Sequence, residues 1–232
     1  MSIANNIRNI QNNINKTAQS CGRNPSSIKL IAVSKRHSIA SIKEAMEAGQ
    51  FYFGENYIQE AAEKRHNSQD SAMFHFIGHI QSNKAKLAAE LFSMVETVDR
   101  YKLAKALNDH LMKLDRKLDI LIQVNIGEDP KKSGVSPEKA GELLKQIAVL
   151  SQLRPMGLMT IPPFSTNNEK TRIYFKGLNA LGTELASQEL FFDNASVELS
   201  MGMSQDFETA IEEGATIVRI GTAIFGKRPD MA

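Results

Sequence analysis

Apolar residues follow two alternating rhythms along this chain. Ile3, Ile7, Ile10 and Ile14 are spaced four, three and four residues apart, which marks one face of an amphipathic helix. The run Ile28–Ser34 is apolar and β-branched and reads as a buried strand. A helix over Ser38–Ala48 follows, with Gly49 placed to end it. The alternation then repeats: strand Phe51–Phe53 and helix Asn56–Arg65, strand Phe74–Ile77 and helix Ser82–Leu91, strand Ser93–Val98 and helix Arg100–Leu114. Leu118–Ile126 is the strongest strand, and Ser136-Pro137 opens the next helix with an N-cap serine and a proline in the first turn. Leu153–Ile161 is a strand whose start is blurred by Pro155. Thr166 to Glu169 fits a capping box for a helix carrying Ile173, Leu178, Leu181 and Leu185. Val197–Ser200 is a strand, Ser204 caps a helix that stops at Gly214, and Thr216–Ile220 is the last strand.

Counted from Ile28, the pattern holds eight strand–helix units behind one extra N-terminal helix. That count suits a (β/α)8 TIM barrel better than an open doubly wound sheet. No dinucleotide glycine fingerprint follows the first strand, which also disfavours the open sheet. With no linker or low-complexity run, residues 1–232 are expected to form a single domain.

Composition narrows the function. With 28 Lys and Arg against 26 Asp and Glu, the net charge of +2 gives no basic footprint for nucleic acid. The sole cysteine, Cys21, allows neither an internal disulfide nor a cysteine zinc cluster, and a reducing interior suits it. The asparagine-rich start has no apolar signal core, and no apolar run is long enough to cross a bilayer, so a soluble, cytoplasmic protein is expected.

In a TIM barrel the chemistry sits at the C-terminal ends of the strands. Arg219 stands inside the apolar run Thr216–Ile220, where a charge needs a partner or a ligand. The loops around Ser200-Met201-Gly202 and Gly221-Thr222 follow the last two strands, where this fold commonly holds phosphate on free backbone N–H groups. Lys35 ends the first strand in alternation with Ile31 and Val33, and a partly desolvated amine there is suited to attack a carbonyl. A reactive lysine, a phosphate cup and a deep arginine together describe a site for pyridoxal phosphate, although a lysine-dependent aldolase would use many of the same parts. The five histidines show no metal-ligand pairing, so no metal is expected, and Lys131-Lys132 reads as a solvated loop. His79 ends a strand and is a candidate to line the mouth.

Eight ordered segments carry a family resemblance. They include Ala32-Val33-Ser34-Lys35, Phe53-Gly54-Glu55-Asn56-Tyr57, His75-Phe76-Ile77-Gly78-His79, Lys132-Ser133-Gly134, Gly157-Leu158-Met159-Thr160, Leu199-Ser200-Met201-Gly202 and Val218-Arg219-Ile220-Gly221-Thr222. The chain resembles the pyridoxal phosphate homeostasis proteins, the YggS-like family, whose fold is that of the alanine racemase N-terminal domain. The resemblance implies pyridoxal 5'-phosphate held as a Schiff base on Lys35, with Asn56 near the ring substituents. It implies Ser200, Gly202, Gly221 and Thr222 at the phosphate, Arg219 at the pyridine nitrogen, and Met159 and Met201 as neighbours. It further implies a role in vitamin B6 and amino-acid homeostasis without turnover, with pyridoxal-phosphate-dependent client enzymes as candidate partners; one compact barrel is expected to be a monomer.

An arginine at the ring nitrogen disfavours a pyridinium and weakens the electron sink. The enzymatic alternative is an amino-acid racemase, which needs a second acid/base on the opposite face. In the racemases that group comes from an additional domain, which this chain is expected to lack. None of Tyr52, Tyr57, Tyr101 and Tyr174 has a spacing that recommends it as a substitute. The chain departs from the family after the lysine, reading Arg36-His37-Ser38 where many members have a Thr-Lys-Pro-like continuation; the missing proline is expected to loosen that loop.

Overall fold

The structure is a computed structural model that describes residues 2–67, 71–163 and 168–227. Its parallel strands are β1 (Lys29–Val33), β2 (Tyr52–Glu55), β3 (Met73–Phe76), β4 (Met94–Val98), β5 (Leu118–Gln123), β6 (Leu153–Met159), β7 (Glu198–Ser200) and β8 (Ile217–Ile220). Each pairs with the next, and β8 closes on β1 through the register Ile31↔Arg219 and Ala32↔Ile220. That closure is what an open doubly wound sheet lacks, so the fold is the expected (β/α)8 barrel.

The helices are α1 (Ile3–Ser20), α2 (Ile39–Glu47), α3 (Ile58–Asn67), α4 (Ala85–Leu91), α5 (Tyr101–Lys113), α6 (Pro137–Ile147), α7 (Asn168–Ser187), α8 (Phe207–Glu212) and α9 (Thr222–Phe225). α1 buries Ile7, Ile10, Ile14 and Ala18 against α2, α8 and α9, over the seam where the barrel closes. Its Asn6 side chain donates to the Ile224 carbonyl at 2.8 Å.

Two cores follow from the alternation of strand side chains. The outer core lies between sheet and helices and holds Phe53, Phe74, Phe76 and Phe92. The inner core fills the lumen with Ile31, Met94, Leu121, Met159 and Ile217.

Several boundaries differ from the sequence pattern. Ser82–Lys84 forms a 3-10 turn, and the α-helix starts only at Ala85. Ser204 is not the cap of α8, which starts at Phe207 after Asp206. The Oδ1 of Asp206 accepts the Met203 N–H at 2.6 Å, so the preceding loop folds on that aspartate instead. Pro155 sits at a bulge, where the pairing steps from Ile120↔Pro155 to Leu121↔Gly157 and a residue without an N–H is tolerated. Thr166 and Asn167 of the expected capping box lie outside the described residues.

Candidate functional site

Strand register gathers the expected residues on one arc of the barrel mouth. β6, β7, β8 and β1 are consecutive neighbours, with Met159 beside Ser200 and Arg219 beside Ile31. Lys35 lies half-buried in the turn just past β1. Gly221 packs against the end of the same strand, and a Cβ there would stand 3.3 Å from the Val33 carbonyl oxygen. Asn56 follows β2, whose Gly54 pairs with Val33. Its Oδ1 is buried and has no hydrogen-bond partner among the described residues.

The loop after β7 is laid along β8, because the Gly202 carbonyl accepts the Arg219 N–H at 3.0 Å. Gly202 has a φ of +91°, and a Cβ would stand 2.6 Å from the Ala210 Cβ and 3.0 Å from the Phe207 Cα, so only glycine fits without strain. Among the described residues, the backbone N–H groups of Gly202, Thr222 and Ala223 donate to no acceptor. Open N–H groups on two adjacent loops make a cradle for an anion.

Arg219 points into the lumen and is 3% exposed. Its Nη1 donates to Ser200 Oγ at 2.5 Å and its Nη2 to the Thr160 carbonyl at 2.7 Å. Among the described residues these two bonds engage two of its five N–H donors. Ser200 Oγ donates in turn to Glu96 Oε2 at 2.5 Å, and Glu96 Oε1 meets His75 Nδ1 at 2.7 Å. Burial pulls the Arg219 guanidinium below its usual value, opposed by Glu96 and Asp206. It stays charged, as guanidinium groups in proteins do. Burial alone would raise the Glu96 carboxyl, but His75, Arg219 and Ser200 outweigh it and hold the carboxyl below the ordinary range.

Not every expected residue arrives as anticipated. The Ser200 hydroxyl is already engaged by Arg219 and Glu96. The Met201 side chain packs in the outer core, so only its backbone can reach the mouth. Thr222 is exposed at the rim and Met159 is buried in the lumen. His79 is exposed, 3.5 Å from Ser133 Oγ.

Lys132 does not lie in a solvated loop. It is half-buried, and its ammonium donates to the Ile161 carbonyl at 3.1 Å and to the Pro162 carbonyl, just past β6. Burial lowers its pKa. His75 and Glu96 were also missed. Glu96 carries the same signal that exposed Arg219, a charge inside an apolar strand, here Met94-Val95-Glu96-Thr97-Val98.

The loop after Lys35 is tied down, not loosened. The Arg36 N–H donates to Glu60 Oε1 at 2.5 Å, and the His37 N–H to the Ser34 carbonyl at 3.0 Å. The His37 ring stacks on Phe225 with centroids 5.0 Å apart.

A half-buried lysine, an orphaned amide oxygen, open N–H groups and a buried guanidinium are gathered around the mouth of a closed barrel. Comparison with known proteins gives its class first: residues 6–229 match the alanine racemase N-terminal domain family. The alanine racemase of Corynebacterium glutamicum shares that fold at 18% identity and a TM-score of 0.67, over 94% of this chain and 60% of that one. Nearer relatives are more particular. The pyridoxal phosphate homeostasis protein of Vibrio alginolyticus is 44% identical, covering 98% of each chain, and that of Escherichia coli K12 is 41% identical, covering 97% of each. PipY of Synechococcus elongatus, a structure with pyridoxal phosphate bound, superposes with a TM-score of 0.84 at 35% identity, over 97% of this chain and all of that one. The chain belongs to the family of pyridoxal phosphate homeostasis proteins.

Proposed function

We propose that this protein binds pyridoxal 5'-phosphate at the barrel mouth, with the Lys35 amine joined to the aldehyde as a Schiff base. Amine and aldehyde condense to a C=N bond with release of one water. The bound cofactor supplies an electron sink for amino-acid chemistry. The chain's own residues hold it: the Gly202, Thr222 and Ala223 N–H groups take the phosphate, Asn56 meets a ring substituent, and Arg219 faces the pyridine nitrogen. Convergence carries this reading, since Lys35, the orphaned Asn56 Oδ1 and the open N–H groups of two loops share one rim. The bound ligand in PipY supports it.

We further propose a single-domain, monomeric, cytoplasmic protein that keeps the aldehyde masked for vitamin B6 and amino-acid homeostasis, without turnover. The permanent charge of Arg219 leaves the ring nitrogen unprotonated and the electron sink weaker, which suits a cofactor carrier better than a transaminase. Tyr52 offers no opposite-face acid, since it opens β2 at the far end of the barrel. Among the described residues no helix is long and apolar enough to cross a membrane.

The test is an absorbance spectrum of the purified protein with added pyridoxal phosphate, then borohydride reduction and peptide mapping. The expected result is a Schiff-base band and a reduced adduct on Lys35, both lost in Lys35→Ala. An unchanged spectrum in that variant overturns the assignment. Rapid formation of D-alanine from L-alanine overturns the absence of turnover.

A further inference from the structure

Behind the mouth, outside the barrel wall, lies a cluster of charges that the cofactor site does not use. α3 buries one face through Ile58, Ala61 and Lys64. A lysine in that apolar stripe is unexpected, and its side chain is only 6% exposed. Each of its ammonium protons finds an acceptor: the Ser34 carbonyl, Glu55 Oε1 and Glu60 Oε1, all at 2.6 Å. Glu55 is fully buried, and its Oε1 also accepts the Ser34 hydroxyl at 2.6 Å. Glu60 Oε1 also accepts the Arg36 N–H at 2.5 Å.

These contacts bracket one residue. The Ser34 carbonyl belongs to the peptide group before Lys35, and the Arg36 N–H to the peptide group after it. Lys64 holds the first and Glu60 the second, and Lys64 and Glu60 hold each other. Fixing both peptide planes around a Cα fixes the direction of its Cα–Cβ bond, because only φ and ψ relate the two. The turn needs such support, since Arg36 sits at a φ of +63°, an unfavourable conformation for a residue with a Cβ. A buried ion cluster is a poor way to gain stability, because desolvation offsets much of the attraction. It is an effective way to define one geometry, since its charges accept few alternative arrangements.

We propose that Lys64 and Glu60, backed by Glu55, are positioning residues that clamp the turn carrying Lys35 and aim its amine into the mouth. This rests on the reading of Lys35 as the cofactor-binding amine. Lys64 itself stays on the outer side of the wall and touches no ligand.

The test compares Glu60→Ala, Glu60→Gln and Lys64→Met with the parent chain. Glu60 is about a quarter exposed, so its variants are expected to fold, and a melting curve checks this. Two further readouts are taken: hydrogen exchange at the Arg36 amide without cofactor, and the rate at which added pyridoxal phosphate develops the Schiff-base band. Glu60→Ala and Lys64→Met should slow uptake by about 10- to 100-fold, the scale set by misplacing a reacting group, and should speed Arg36 exchange. Glu60→Gln keeps an oxygen for the Arg36 N–H and should recover most of both. Parent-like uptake in both Glu60→Ala and Lys64→Met overturns the proposal. So does equal loss in Glu60→Gln and Glu60→Ala, which would assign the effect to charge and not to the turn. If the parent chain develops no band, the cofactor reading fails, while Arg36 exchange still decides whether the clamp exists: unchanged exchange in both variants overturns it.

Discussion

Glu96→Gln tests the electrostatics of the barrel lumen. In the folded chain Glu96 is fully buried and receives Ser200 and His75, with Arg219 Nη1 3.9 Å away. The amide keeps the shape and one acceptor oxygen but removes the negative charge, which leaves the buried Arg219 cation with only the smaller contribution of Asp206 to offset it. Breaking one side of a buried pair costs about 3–5 kcal/mol, and the retained oxygen points to the lower end, about 3 kcal/mol. For a chain of 232 residues, at about 2–4 °C per kcal/mol, that is a fall in Tm of about 6–12 °C. The pH dependence has a definite sign. The Glu96 carboxyl is held below its reference value of 4.5, so its stabilisation is complete above that value and is lost as pH falls through the lower, folded one. The gap between parent and variant is therefore flat near neutrality and closes in acid. Circular-dichroism melting of the cofactor-free proteins from pH 7 downwards measures both features. Adding Arg219→Met to Glu96→Gln should cost less than the sum of the single variants, since the second change removes the stranded charge. A variant melting within about 3 °C of the parent at pH 7 would refute the reasoning, as would a gap that widens in acid.

Other expectations follow from single contacts. Asn56→Ala should leave Tm unchanged or slightly raised, because the orphaned Oδ1 contributes nothing to the fold, yet weaken cofactor binding by up to about tenfold in an equilibrium titration. Gly202→Ala should lose about 1–2 kcal/mol from the left-handed backbone alone and more from the overlap with Ala210, read by denaturant unfolding. Ile14→Ala, fully buried under the barrel seam, should lose about 2–5 kcal/mol in the same assay with little change in the cofactor spectrum.

The barrel was legible because each element carries its own period: the isoleucines of α1 at helical spacing, the β-branched runs of β1 and β5, and turn residues between them. The rim was legible because the fold assigns chemistry to strand ends, and Lys35 and Arg219 stand out there against apolar neighbours. What stayed hidden depends on contacts between distant segments. Ser200 reads as a phosphate donor until Glu96, far back in the chain, is found hydrogen-bonded to it. Lys132 reads as solvated until the carbonyls past β6 are found at its ammonium. Lys64 sits on the buried face of α3, where only the placement of Ser34 and Glu55 makes an ammonium tolerable. Arg36-His37-Ser38 lacks a proline, and a local reading cannot see that Glu60 supplies the restraint from another helix.

The two buried ion clusters lie on opposite sides of the barrel wall. Inside, Glu96, His75 and Ser200 fix Arg219; outside, Glu55, Glu60 and Lys64 fix the turn of Lys35. Each would cost less as an apolar cluster of similar volume. With Lys35 and Arg219 holding the cofactor as proposed, one cluster sets the backbone that carries the first and the other sets the guanidinium of the second. A rim preorganised in this way suits the proposed retention of a reactive aldehyde, because the ordering cost of binding is met during folding and not at each encounter.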